Sequence, residues 1–337
     1  MRAAVIGAGR MGRRHMQVVR SLGLELVGIS DQSETNLAIA GEESGVPSDR
    51  RFLEVQRLLN LEPEVVIVAT TAPSHQSYAT LAAERGARYL LCEKPLATSL
   101  ADCDRILETC NRRGTLLAVN HQMRFMDQYT VTRDLVWSDA IGGLSSVTVV
   151  GGNFGMAMNG THYFEMFRFM SGEAPRDAVA WFSPTIIPNP RGVEFEDRAG
   201  AIRLTTASEK RFYLDVGPDQ GHGIQVIYAG PRGQVLVDEL AGMLRVTHRR
   251  PEDQSLPSTR YGMPAEIMTR SITPADALAP TKSVVEALLR EKDYPTGAEG
   301  RLAVAALVAS YVSHESGGRT VAVDDHALPL ERRFPWA

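Results

Sequence analysis

Ala3-Ala4-Val5-Ile6-Gly7-Ala8-Gly9-Arg10-Met11-Gly12 is a short apolar run that breaks into G-x-G-x-x-G where a helical pattern, Met11–Leu22, begins. The glycines permit a tight turn and let the backbone approach a pyrophosphate. The helix N-terminus adds free N–H groups and a positive dipole end. Asp31 follows at the end of a second apolar run, Leu26–Ile29. Its carboxylate can accept hydrogen bonds from both adenosine ribose hydroxyls and would repel a 2′-phosphate. Gln32 and Ser33 offer no arginine to hold such a phosphate. The expected cofactor is NAD, with NADP disfavoured, held by Gly7, Gly9, Arg10, Met11, Gly12 and Asp31.

Working outward, residues 1–120 alternate between strand and helix signals. Val65-Val66-Ile67-Val68-Ala69 is β-branched on both faces, as a parallel strand covered by helices on both sides should be. Tyr89–Leu91 and Leu116–Val119 are further strands. Between them Ser99–Arg113 is a helix, with Ser99 as N-cap, Asp102 and Asp104 early, and Gly114 after its basic end. Such alternation predicts a doubly wound parallel sheet, a Rossmann domain over 1–120. After Asn120 the pattern changes. Helical stretches at 127–138 and 156–171 precede mostly strand signals from 178 to 248, predicting a mostly antiparallel sheet in an α/β domain over 121–337. The Pro-, Ser- and Thr-rich residues 250–276 read as a long excursion. Helices at 282–290 and 298–314 and a short strand at 320–323 follow.

Composition narrows the function. The chain has 337 residues, enough for two domains, and a net charge of -4, which gives no reason to expect a nucleic acid or an anionic membrane surface as partner. No apolar run approaches the roughly 20 residues that span a bilayer, and Met1–Gly7 does not have the form of a secretory signal. The three cysteines, Cys92, Cys103 and Cys110, lack zinc-type CxxC pairing. A reduced, cytoplasmic setting and no metal are expected.

The tetrad Cys92-Glu93-Lys94-Pro95 ends the strand Tyr89–Leu91. Proline stops the ladder, and Glu and Lys are costly to bury unpaired, so these residues suit a site rather than a scaffold. The carboxyl end of strands in an open parallel sheet is where ligands bind. The loop after the third strand, Thr70-Thr71-Ala72-Pro73-Ser74-His75, opens at the same end. It is expected along the nicotinamide half of the cofactor, with Thr70, Thr71, Pro73 and Glu93 as contacts. His75 is either a further contact or a residue that only hydrogen-bonds backbone.

Gly7–Gly12, Pro73-Ser74-His75, Cys92-Glu93-Lys94-Pro95-Leu96-Ala97, Arg124, Ile141-Gly142-Gly143 and, more weakly, Tyr294-Pro295 together resemble the glucose–fructose oxidoreductase / inositol dehydrogenase (Gfo/Idh/MocA) family. The resemblance implies a second domain with a large open sheet that forms the subunit interface of a homodimer or homotetramer. It also implies NAD(P)-dependent oxidation of a secondary hydroxyl on a sugar, sugar nucleotide or cyclitol, or the reverse reduction. Removing hydride from a carbinol carbon leaves charge on the oxygen and requires a proton acceptor. Lys94 is expected to stabilise that oxygen as an ammonium and to touch both cofactor and substrate. His162 is expected to accept the proton, since in the family a histidine at this place faces the motif lysine.

The sequence departs from the family pattern where aspartates often stand four residues before and three residues after that histidine. Met158 and Glu165 occupy those positions. Asn159 can take over part of the substrate contact, and Glu165 either orients His162 or is a solvated carboxylate. Arg124 either grips substrate or bridges the domains. Two other function classes remain open at this point. One is an NAD-dependent glycosidase or lyase that oxidises transiently and eliminates. The other is a non-catalytic dinucleotide-binding regulator, which would need neither Lys94 nor His162.

Overall fold

The computed structural model describes residues 1–152, 155–186, 189–257, 264–324 and 326–337. Six strands, β1 (Arg2–Ile6), β2 (Glu25–Ser30), β3 (Arg51–Phe52), β4 (Val65–Val68), β5 (Tyr89–Cys92) and β6 (Leu116–Val119), form one parallel sheet in the order β3-β2-β1-β4-β5-β6. This is the expected doubly wound sheet. The strand order reverses between β1 and β4, which opens a crevice at their carboxyl ends. Every residue of β4 is buried, because helices cover both faces.

The helices follow local rules. In α1 (Arg10–Ser21) the buried face carries Gly12, His15, Met16, Val18 and Val19. Helix α2 (Glu34–Ser44) is capped by the Ser33 side chain and ends at Gly45 in the left-handed region. Helix α3 is Val55–Leu59 and α4 is His75–Glu84. Helix α5 (Leu100–Arg113) has the expected Ser99 cap and Gly114 terminator. Cys103 and Cys110 point into the core, where burial raises their thiol pKa values.

The second sheet has nine strands: β7 (Ser146–Gly152), β8 (Pro175–Ile186), β9 (Arg198–Thr206), β10 (Arg211–Gly217), β11 (Gln225–Gly230), β12 (Gly233–Asp238), β13 (Met243–Arg249), β14 (Ala265–Ser271) and β15 (Val321–Ala322). Their order is β14-β13-β12-β11-β7-β10-β9-β8-β15, antiparallel except for the β7–β10 pair. One face is packed under α6 (Asp127–Val136), α7 (Thr161–Ser171) and the long α9 (Gly297–Glu315). On this face the Glu239 carboxylate accepts from Tyr129 at 3.1 Å and Tyr163 at 2.7 Å, tying both helices to the end of β12.

One expectation needs correction. The excursion read over 250–276 contains a strand, β14, that adds an edge to the sheet; residues 258–263 of that stretch lie outside the described residues. Its exposed alternation gave no buried face to recognise. Packing contacts also run across residue 120. Helix α8 (Leu278–Leu289) buries Val284, Val285 and Leu288 in the same apolar cluster as Tyr89 and Leu91 of β5 and Ala118 of β6. Just before α9 the chain closes the β6 edge, where Val119 N–H donates to the Pro295 carbonyl at 2.9 Å. Apolar periodicity marks α8 as half-buried without saying which sheet it covers.

Candidate functional site

The crevice between β1 and β4 widens into a cleft of about 580 Å³. The glycine turn forms its floor. Gly7 has φ of +97°, and a Cβ there would lie 2.6 Å from the Ala69 carbonyl oxygen. A Cβ on Gly12 would lie 1.8 Å from the Gly7 carbonyl oxygen, so this glycine sets how closely α1 approaches its own turn. Gly9 differs, because a Cβ there would meet nothing within 4 Å. Its bareness leaves room at the start of α1, whose N-cap has no side-chain partner. That combination fits a pyrophosphate.

Asp31 stands on the cleft wall as expected. It accepts from Ala8 N–H at 2.7 Å, Ser33 N–H at 2.8 Å and the Asn36 amide at 3.3 Å. The turn and the end of β2 therefore hold the carboxylate where a ribose would meet it. Leu53, Val55 and Tyr78 complete that end with apolar surface suited to an adenine ring. Arg10, Met11, Thr70, Thr71 and Glu93 also line the cleft.

Of the expected cofactor contacts, Gly12, Pro73, His75 and Lys94 do not line it. The two nitrogens of His75 face the carbonyls of Pro95 (2.9 Å) and Thr70 (3.1 Å), and burial lowers its pKa. His75 therefore clamps the β4 loop to the Glu-Lys-Pro segment, the backbone-bonding alternative.

Glu93 is the most constrained residue of the site. His15 Nε2 lies 2.7 Å from its Oε1, and the Asn120 amide donates to the same oxygen at 2.8 Å. Burial on its own would raise the carboxyl pKa. The hydrogen bond and charge of His15, then the charge of Lys94 and the Asn120 hydrogen bond, outweigh it and hold the value at about 2. His15 is fully buried in α1 and Asn120 follows β6, so three separate elements converge on one oxygen. Sequence reasoning missed His15, which sits among arginines inside a helix. Asn120 carries the signal that singled out Asp31, a polar residue at the carboxyl end of a parallel strand.

Lys94 is 8% exposed and precedes a cis Pro95. Its ammonium donates to the Met158 carbonyl. Burial lowers its pKa to about 8, against the opposing pull of Glu93 and with a further push from Arg191. Met158 belongs to a π-helical turn, Met156–Gly160, that leads into α7. The residue standing in for the usual aspartate thus contributes a backbone oxygen. A carboxylate is nevertheless close. Buried Asp197 accepts from Ala157 N–H at 2.9 Å and Met158 N–H at 2.8 Å, anchoring the turn. Nothing in its sequence context identifies it.

His162 is 4% exposed, and its ring meets His121 edge-on at 5.4 Å between centroids. Burial, then Lys94 and His121, push its pKa well down, so the imidazole is neutral at ordinary pH. His121, its own pKa lowered to about 3, first by burial, was also missed. Asn159 lies half-buried on the π-helical turn, its N–H donating to the Gly155 carbonyl at 3.1 Å.

Arg124 and Glu165 are placed elsewhere. Arg124 pairs with Glu165 and, at 3.0 Å, with Glu299, and Arg168 reaches the same two carboxylates at 2.9 and 2.8 Å. Glu299 also closes the capping box of α9 with Thr296. Arg124 is thus committed to a salt-bridge cluster whose members all lie within residues 121–337, and Glu165 pairs with two arginines rather than with His162.

Against this geometry, the profile of the Gfo/Idh/MocA oxidoreductase family, NAD-binding Rossmann fold, matches residues 1–121. Over those residues the chain is similar to that family. D-apiose dehydrogenase of Paraburkholderia graminis is 30% identical over 197 residues, covering 53% of this chain and 52% of the relative. Inositol 2-dehydrogenase 2 of Saccharopolyspora erythraea is 29% identical over 261 residues, 72% of each. The chain spans about half the length of the first of these curated relatives. An Agrobacterium radiobacter oxidoreductase, solved with NAD+, L-tartaric acid and magnesium, has the same fold. Its TM-score is 0.80 at 19% identity, over 96% of this chain and 98% of that one. No helix among the described residues is long and apolar enough to cross a membrane.

The network around Glu93 generates a prediction. Its folded pKa lies below the ordinary glutamate value of 4.5, so its contribution to stability is present above about pH 4.5 and is lost as pH falls through about 2. His15→Ala removes the first of the groups holding it down, so acid destabilisation begins at higher pH. Urea unfolding measured between those limits detects this; an unchanged acid limb contradicts the assigned network.

Proposed function

We propose that this protein is a member of the Gfo/Idh/MocA family and an NAD-dependent dehydrogenase or reductase acting on a secondary hydroxyl or the corresponding ketone of a sugar-like substrate. Residues 1–120 hold the cofactor, and residues 121–337 supply most of the substrate site. The observation that carries this reading is that Lys94, next to the cleft residue Glu93 and bonded to the cleft residue Met158, stands near enough to His162 for its charge to lower the imidazole pKa. When bound, NAD supplies the hydride acceptor or donor. Lys94 donates a hydrogen bond to the reacting oxygen and so stabilises its developing charge. With its pKa lowered to about 8, the ammonium gives up its proton more readily than an exposed lysine does. His162 is neutral and has a buried Nδ1 without a partner among the described residues, so it can take the hydroxyl proton. Asp197 and the π-helical turn hold the Met158 carbonyl on Lys94, and substrate oxygen replaces that carbonyl on binding. The transient-oxidation and regulator alternatives gain no specific support.

Screening NADH formation over sugars, sugar acids, sugar nucleotides and inositols tests this reading. Wild type is expected to turn over at least one class. Lys94→Met is expected to bind NADH with unchanged affinity while kcat falls by about 100-fold or more. Turnover retained in Lys94→Met would remove the assigned role.

We also propose that the chain assembles as a homodimer or homotetramer through the outer face of its second sheet. Trp181 and Ile267, 57% and 58% exposed, are support for this. Sedimentation equilibrium is expected to return a multiple of the 36.9 kDa chain mass, and Ile267→Lys to shift it towards that mass. A monomeric wild type would contradict the assembly.

A further inference from the structure

The cleft's carboxylates are committed, whereas the guanidinium of Arg191 is not. Asp31 is taken up by Ala8, Ser33 and Asn36, and Glu93 by His15 and Asn120. Asp197, close to Lys94, is occupied by the backbone of Ala157, Met158 and Arg198. Arg191 is half-buried in the cleft wall, beside Pro190 and in the same lining as Met158 and Glu93. Its backbone N–H is fixed by the Asn189 side chain at 3.0 Å, while its guanidinium has no ion pair among the described residues. Lys94 donates to the carbonyl of Met158, which lines the cleft together with Arg191, and Arg191 acts on Lys94 as a nearby like charge. A guanidinium stays charged at all working pH values, and a half-buried one beside an ammonium is stabilised by an anion between them. Its planar fork matches a carboxylate or phosphate with two parallel hydrogen bonds. A neutral sugar or cyclitol offers it only hydroxyls.

We infer that Arg191 is the oxyanion-recognition residue of the cleft and that the substrate is a hydroxy acid of the aldonate or uronate type, its carboxylate held by Arg191 while the reacting hydroxyl lies at Lys94. This rests on the dehydrogenase reading above for the identity of the reacting group. The same fork can instead take the cofactor's pyrophosphate, which is the second source of an oxyanion in this cleft.

Calorimetry on NADH-loaded protein with D-glucuronate, D-gluconate and D-glucose, paired with NADH titration of the unloaded protein, separates the two sources. Wild type is expected to bind at least one acid about tenfold or more tightly than D-glucose. In Arg191→Gln that preference disappears while NADH affinity stays within about twofold, which also shows the variant is folded. Arg191→Lys, keeping charge without the fork, falls between. If Arg191→Gln instead weakens NADH about tenfold and leaves the acid preference intact, the oxyanion is the pyrophosphate. No acid preference in wild type together with unchanged NADH affinity in Arg191→Gln overturns the assignment. Because the readout is binding, an absence of turnover would count against the dehydrogenase reading without touching Arg191.

Discussion

A carboxylate held ionised in a buried place is the constraint on which this site depends. Glu93 sits at the carboxyl end of β5, where a parallel sheet has spare hydrogen-bonding capacity and no side chain to spend on packing. A lone buried carboxylate would take up a proton. His15 from α1 and Asn120 from the end of β6 prevent this, and in doing so they lock the first helix, the fifth strand and the domain junction to one oxygen atom. The ionised Glu93 in turn keeps the neighbouring Lys94 more basic than its burial alone would allow. Cofactor cleft and reacting lysine are thereby set by one network.

The second domain answers with backbone rather than with a charged side chain. At Met158 the chain forms a π-helical turn whose carbonyl accepts from Lys94. Asp197, delivered at the start of β9, satisfies the N–H groups that such a turn leaves open. A Cβ at Gly155 would lie 2.2 Å from an Asp197 oxygen, so the carboxylate fills the space that the glycine vacates. The carboxylate of this region comes from Asp197, 39 residues after Met158, and acts through backbone.

Legibility in the sequence followed the range of the interactions. The glycine turn, Asp31 and the Glu-Lys-Pro end of β5 are local signals, because strand, turn and helix succeed one another along the chain. They predicted the parallel sheet and its crevice. The two sheets followed from the switch in pattern after Asn120. Arg124 and Glu165 could not be assigned locally, since their partners Arg168 and Glu299 come together only when α7 packs on α9. His15, His121, Asp197 and Arg191 were invisible for the same reason. Each is an ordinary residue until another element arrives beside it. Edge strand β14 escaped because neither of its faces is buried.

The electrostatic coupling of Glu93 to Lys94 is open to direct measurement. The chain has four lysines, Lys94, Lys210, Lys282 and Lys292, so the Lys94 side-chain nitrogen can be assigned by nitrogen-15 NMR using a Lys94→Met control. In the wild type it is expected to titrate at about 8. In Glu93→Gln the anion that favours the ammonium is gone, and the titration should move to lower pH. A midpoint that does not move when Glu93 loses its charge, or one at the ordinary lysine value in the wild type, would contradict this account of the site.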